Sequence, residues 1–177
     1  VFWQTTDKDG NVTLGMIQEA LPITLLINVL SLLLIIGIAL PLGVISALKQ
    51  NQWPDRGITM FVFLGFAIPG FWLALMLMYW TGVQHSWLPI SGLESMGHET
   101  LTWPAQIWDT LQHLMLPVFI SAITGLAGIS LFVRNGMLDV LHQDYITTAR
   151  AKGLNENKII YGHALRNALL PLITIFG

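Results

Sequence analysis

Residues 21–48 read LPITLLINVLSLLLIIGIALPLGVISAL. No charged side chain interrupts the stretch. At about 1.5 Å of rise per residue it is long enough to cross a hydrocarbon layer of roughly 30 Å, with tilt or an overhang to spare. Backbone polar groups find no water in lipid, so such a segment must be a helix. Pro22 lies in its first turns, where proline is tolerated, and Pro41 is expected to kink it. Ala39, Gly43 and Ala47 share one face, and small residues at that spacing let helices approach closely in lipid. That face fits ordinary bundle packing or contact with a second subunit.

The same pattern recurs along the chain. KQNQWPDRG (Lys49–Gly57) is a short polar turn. A second span is expected from about Ile58 to Gly82, with a break at Pro69-Gly70. Val83–Gln112 is a loop with Trp87, Pro89, Gly92, Gly97, Trp103, Pro104 and Trp108, able to hold short interfacial helices. A third span is expected at about 113–133, followed by a polar segment over 134–167 and the start of a fourth span near Ala168. Ser121 with Gly125, and Thr124 with Gly128, repeat the small-residue spacing in the third span. Residues 1–18 precede the first span as a polar loop, with Asp7, Lys8, Asp9, Gly10 and Asn11 as a turn signal. The chain is 54% hydrophobic and 10% charged, against roughly 25% charged in soluble domains. The fold expected is an all-α polytopic membrane helix bundle. The sequence opens at Val1 without Met, Val1 to Thr6 has neither the basic nor the apolar region of a signal peptide, and Gly177 falls inside an apolar run. The chain is therefore expected to be a fragment of a longer protein.

The basic residues set an orientation. Lys49 and Arg56 lie in the first turn, and Arg134, Arg150, Lys152, Lys158 and Arg166 flank or occupy the late polar segment. The Val83–Gln112 loop has no Lys or Arg. Three spans place the first turn and the late segment on one side, which the positive-inside rule makes cytoplasmic. Tyr79, Trp80, Trp87, Trp103 and Trp108 then form an outer aromatic belt.

The late segment has its own organisation. Val140, Leu141, Tyr145, Thr148, Ala149 and Lys152 fall at helical spacing, predicting an amphipathic helix over Met137–Lys152. Gly153 can adopt φ > 0 and end it with a sharp change of direction. Asn155 can cap a second short helix, with Glu156 in its first turn and Ile159 and Ile160 on its apolar side. Helix, tight turn, short helix and re-entry make a compact element suited to docking on a soluble protein. A solvated connector with incidental amphipathicity fits the same pattern.

Other chemistries find little support. There is no cysteine, hence no disulfide framework and no thiol nucleophile. No glycine-rich phosphate loop ending in Lys and Ser/Thr is present. Ser31, Ser46, Thr59, Ser121, Thr124 and Ser130 put hydroxyls in the expected spans without a histidine or carboxylate beside them. Such hydroxyls usually bond helix carbonyls or neighbouring helices. Asp139, His142 and Asp144 are the one tempting metal cluster; Asp139 and His142 could share a face at i, i+3, but Asp144 would point away from His142, as on a solvated helix face. His113 suits an interfacial helix end. No charged side chain sits inside an expected span, which argues against an ion-driven carrier.

DYITTARAKGLNENKIIYGHALRNALLP (144–171) resembles the EAA loop of binding-protein-dependent ABC importer permeases, in the dipeptide, oligopeptide and nickel branch. The stretch quoted first resembles the same family, as do GFAIPGFWLALMLMYW (65–80), WLPISG (87–92) and HLMLPV (113–118). The likeness covers nearly everything from about Glu19 onward, so residues 19–177 are expected to form the permease domain. There are departures: Thr147 and Thr148 stand where the general motif has Glu and Ala, and only Ala149 matches. Leu165 and Arg166 hold the downstream Leu-Pro position, and a Leu-Pro pair comes later as Leu170-Pro171.

The resemblance implies a transport subunit, not an enzyme, in a bacterial or archaeal inner membrane. It implies a sister permease, two cytoplasmic ATPases that hold ATP and Mg, and an external binding protein, with no nucleic acid. The chain itself would carry no cofactor. The helix after Gly153 would be the coupling helix, with Gly153, Leu154, Asn155, Glu156, Lys158 and Ile159 at the ATPase and Ala149 packed beside the turn. Pro69, Gly70 and Trp72 are candidates for lining the translocation pathway. Peptides are the expected cargo; nickel or another small solute is the alternative, and a channel or ion-driven carrier without ATPases is the rival of another class.

Overall fold

A computed structural model describes residues 12–171 and 174. Most of the expected N-terminal loop, including Asp7 to Asn11, lies outside the described residues, as does nearly all of the expected fourth span beyond Pro171. Helix α1 covers Val12–Leu48 and runs on through Pro22 and Pro41 as one helix. Helix α2 covers Trp53–Ala67. Helix α3 covers Gly70–Leu77 and passes into a π-helical stretch, Met78–Gln84. Helix α4 covers Trp103–Leu141, and α5 covers Asp144–Ala151.

The first expected span, about Ala20–Leu48, lies within α1 and is long and apolar enough to cross a membrane. The second is broken: Ile68 is extended, and α2 meets α3–π at 91°. Proline has no N–H for the helix ladder and disfavours helical backbone at the residue before it. Pro69 in fact sits just ahead of α3 as its N-cap. The third expected span, 113–133, lies inside a longer helix. Its helix opens at Trp103, ten residues before the expected start, with Pro104 in the first turn, where a missing N–H costs nothing. It continues to Leu141, well past Val133. Arg134–Leu141 is therefore the end of α4 and not part of a loop. The helix expected over Met137–Lys152 is two, divided at His142-Gln143.

The direction of α4 follows from its contacts. Ser31 Oγ approaches the Val118 carbonyl oxygen at 3.3 Å, Gly125 faces Ile35, and Gly43 faces Val133. Contacts that advance together along both helices make α1 and α4 parallel. The chain between them must cross back, and it does: Asp55 meets Arg134, Gly65 faces Ala127, and Gly70 faces Thr124. The bent α2–α3 pair is thus a return span antiparallel to α4. Ala39, Gly43 and Ala47 are buried against α4 within this chain. Gly125 lies in that same contact, whereas Thr124 and Gly128 stay exposed. Leu33, Met60, Phe61 and Phe71 stand outward, the arrangement expected where lipid or other helices replace water.

Candidate functional site

The end of the bundle that carries Lys49 and Arg56 also carries α5 and the Gly153 turn. Gly153 has φ +77°, the left-handed region open to glycine at little cost. Its N–H donates to the Arg150 carbonyl at 2.9 Å, and the Leu154 N–H donates to the Ala149 carbonyl at 3.2 Å. These are the two bonds of a Schellman motif, and they satisfy the carbonyls that α5 would otherwise leave orphaned. Ala149 and Leu154, the pair that usually touches in that motif, both pack on the buried cluster below. Asn155 opens the next helix. Its side-chain oxygen accepts the Asn157 N–H at 2.9 Å, and its carbonyl accepts from Lys158 and Ile159. That helix passes into a π-helical stretch, Lys158–Ala164, and ends as α6, Leu165–Ala168.

Two side-chain bonds brace the element. Arg150 Nε donates to Glu156 Oε1 at 2.7 Å across the turn. Asn167 Nδ2 donates to the Tyr145 hydroxyl at 2.7 Å, joining the start of α5 to the returning chain. Beneath them, Ile146, Ile159, Ile160 and Ala164 are buried with Met137 and Val140 of α4 and Val44 and Ala47 of α1. Glycine at 136 lets α6 approach: an added Cβ would stand 3.0 Å from the Ala168 carbonyl oxygen.

The seven residues expected at this site thus occupy one element but differ in what they offer. Gly153, Asn155, Glu156 and Lys158 are exposed, and Ala149 and Leu154 are half-buried. Ile159 is 0% exposed, so it anchors the turn and has no surface to present. His142 Nδ1 donates to the Leu138 carbonyl at 2.6 Å, which occupies one ring nitrogen of the tempting metal group.

Pro69, Gly70 and Trp72 lie elsewhere, at the elbow of the return span. Pro69 is the N-cap of α3, and Gly70 meets the Thr124 methyl. Trp72 is 48% exposed. The three do not converge on one cavity. An apolar cavity of about 300 Å³ lies beside them, lined by their neighbours Ile68 and Leu73 and by residues of α2 and α4.

One constellation was not expected from the sequence. Arg134 holds Asp55 with two parallel bonds, Nε to Oδ1 at 2.8 Å and Nη2 to Oδ2 at 2.9 Å. Ser46 Oγ also donates to Asp55 Oδ1, and the Asn51 N–H donates to Oδ2 at 2.8 Å. Ser46 and Asp55 are buried, and buried charge is tolerated when paired and fully hydrogen-bonded. Ser46 and Thr59 thus serve a carboxylate, while Ser31 and Thr124 bond carbonyls of their own helices. Trp-Pro-Asp at 53–55 was the available signal: proline in a first turn followed by an acid marks a helix start. At the opposite, tryptophan-rich end, Asp109 accepts from Ser95 N at 2.9 Å, from Ser95 Oγ at 2.5 Å and from His98 Nδ1 at 2.7 Å. This pins the loop to α4. The helices are longer than the expected spans, so they include ionisable groups near their ends.

Residues 39–177 match the family described as binding-protein-dependent transport system inner membrane component. The chain is 44% identical over 176 residues to the oligopeptide transport system permease protein AppB of Bacillus subtilis (strain 168), covering 99% of this chain and 54% of that protein. It is 33% identical over 204 residues to the di/tripeptide transport system permease protein DppB of Pseudomonas aeruginosa (strain UCBPP-PA14), covering 100% of this chain and 61% of that one. It is 34% identical over 165 residues to the inner membrane ABC transporter permease protein YejB of Escherichia coli O157:H7, covering 92% and 45%. The chain spans about half the length of the curated relatives it matches. The match extends over well more than half of the sequence, and this chain belongs to the binding-protein-dependent transport system inner membrane component family.

Proposed function

We propose that this chain is part of a permease subunit of an ATP-driven importer, forming with a sister permease the path for di- or oligopeptides that an external binding protein delivers. The Gly153 turn faces the cytoplasm and seats in one of two ATPase subunits. The observation that carries this is the division of the turn into an exposed rim and a buried base. Gly153, Asn155, Glu156 and Lys158 are exposed, while Ile146 and Ile159 are locked among α1 and α4. A rim held on such a base passes a push to the helices without first deforming, because close-packed interiors transmit strain. The family match and the peptide permeases among its relatives support the cargo class.

In this mechanism ATP-driven closure of the two partner ATPases moves the turn, and the turn rocks α1 and α4 together between outward and inward openings. The elbow at Pro69 and Gly70, with Trp72 beside it, contributes to the path. Reconstituting the full complex in vesicles and measuring labelled tripeptide uptake tests the assignment. Uptake is expected to need ATP, the binding protein and this subunit together. Uptake that runs on an ion gradient without ATPases would overturn it. Photo-crosslinking from residue 155 is expected to capture an ATPase subunit.

A further inference from the structure

The base under the Gly153 turn is built from α1, α4, α5 and the segments after the turn. Among the described residues it contains none from α2. Yet α2 leads into the elbow, the sharpest bend in the return span. Movement at the turn reaches α2 only through its neighbours, by the short 49–52 connection from α1 and by its contacts with α4. At its far end α2 meets α4 through Val62 and Gly65, beside the apolar cavity bounded by Phe61, Leu64, Ile68, Leu73, Ile123 and Leu126. That end has unfilled volume next to it. At the near end the contact is the two-bond fork between Arg134 and Asp55, reinforced from α1 by Ser46 and from the α1–α2 turn by the Asn51 N–H. Arg134 sits one turn before Met137 and one residue after Val133, both fully buried in the base.

We propose that Arg134 and Asp55 form the joint that makes the near end of α2 move with α4, so that displacement of the Gly153 turn is delivered to the Pro69 elbow, whose far end swings against the cavity. The proposal rests on the importer reading above. Arg134 acts as a positioning residue: it touches neither cargo nor nucleotide. A guanidinium suits this role because its planar fork fixes direction as well as distance, which a lysine ammonium does not.

The test uses the full complex in vesicles. Spin labels at Arg56→Cys and Asp139→Cys, both exposed positions, report on the two sides of the joint. Labels at Phe71→Cys and Asp139→Cys report on the elbow. Between the nucleotide-free complex and the complex trapped with an ATP analogue, the first distance is expected to stay constant and the second to change. In Arg134→Gln the first distance distribution broadens, and peptide imported per ATP hydrolysed falls about tenfold, a typical size for coupling between sites. Arg134→Lys falls between Gln and the parent. The joint is refuted if the first distance shifts with nucleotide in the parent complex, or if Arg134→Gln imports peptide with the parental ATP stoichiometry. The parental distances decide the matter even if Arg134→Gln fails to assemble. Absence of peptide uptake in the parent complex overturns the importer reading alone, since the distances still report whether the joint is rigid.

Discussion

The Leu154 N–H reaches back across Gly153 to the Ala149 carbonyl, 3.2 Å away, and closes the end of α5. The bond exists only because the residue between takes φ +77°. An added Cβ at Gly153 meets nothing within 4 Å, so backbone conformation alone restricts the position. Gly153→Ala is expected to cost about 1–2 kcal/mol at the turn, the penalty of left-handed backbone with a side chain. Gly153→Pro also removes the donor to Arg150 and forbids the observed φ. Both variants should insert into the membrane. The proline variant should abolish ATP-dependent uptake and the alanine variant reduce it, as read from vesicle transport normalised to inserted protein.

Arg150 and Glu156 are both largely exposed, and exposed pairs contribute roughly 0–1 kcal/mol. Glu156→Lys should therefore leave the thermal midpoint of the purified complex almost unchanged. Uptake is expected to fall, because the charge lies on the rim proposed to face an ATPase. Pairing Arg150→Glu with Glu156→Arg re-forms the bridge in reverse. If uptake recovers in that double variant, the glutamate only braces the turn and does not meet a partner.

Gly43 sets the distance between α1 and α4. A Cβ there would lie 2.7 Å from Val133 Cβ and 2.9 Å from the Ser130 carbonyl oxygen. Gly43→Leu must push the helices apart, with a cost of roughly 1–3 kcal/mol or more. Lower recovery of monodisperse complex from detergent is the expected result. Recovery equal to the parent would mean that this contact loosens in the membrane.

Asp109 is the common acceptor for Ser95 and His98. Asp109→Ala removes the acceptor that Ser95 and His98 share; Ser95 is exposed and can bond water instead, so the cost is about 1 kcal/mol. The segment from Gly92 to Thr100 should then become open to protease added on the side proposed to be external. Cleavage at the parental rate would show that its two glycine turns hold it unaided.

Orientation can be read directly. The 177 residues contain no cysteine, so single cysteines at Met96 and Asn155, both exposed, report from opposite ends. A membrane-impermeant maleimide should label Met96→Cys in intact spheroplasts and Asn155→Cys only after permeabilisation. The opposite pattern reverses the proposed topology and the role of the turn with it.

Hydropathy alone found the apolar part of α1, about Ala20–Leu48, because an uncharged run of that length has one low-energy state in lipid, but it missed the helical turns from Val12 that precede it. The Gly153 turn and the Asn155 cap were equally legible, since their signals are local: a glycine where φ must be positive, and a side-chain oxygen ahead of free N–H groups. The ends of α4 were not. Trp103 to Gln112 looks like a loop by hydropathy, and it is held as helix with Asp109 fastening the neighbouring loop to it. Ile159 seemed available to a partner until its burial placed it in the base. Asp55 and Arg134 lie 79 positions apart, and each by itself is an ordinary charge near a span end. Only the packing of α2 against α4 brings them together, because pairing depends on which helix faces which, and that is settled by long-range contacts that no local pattern encodes.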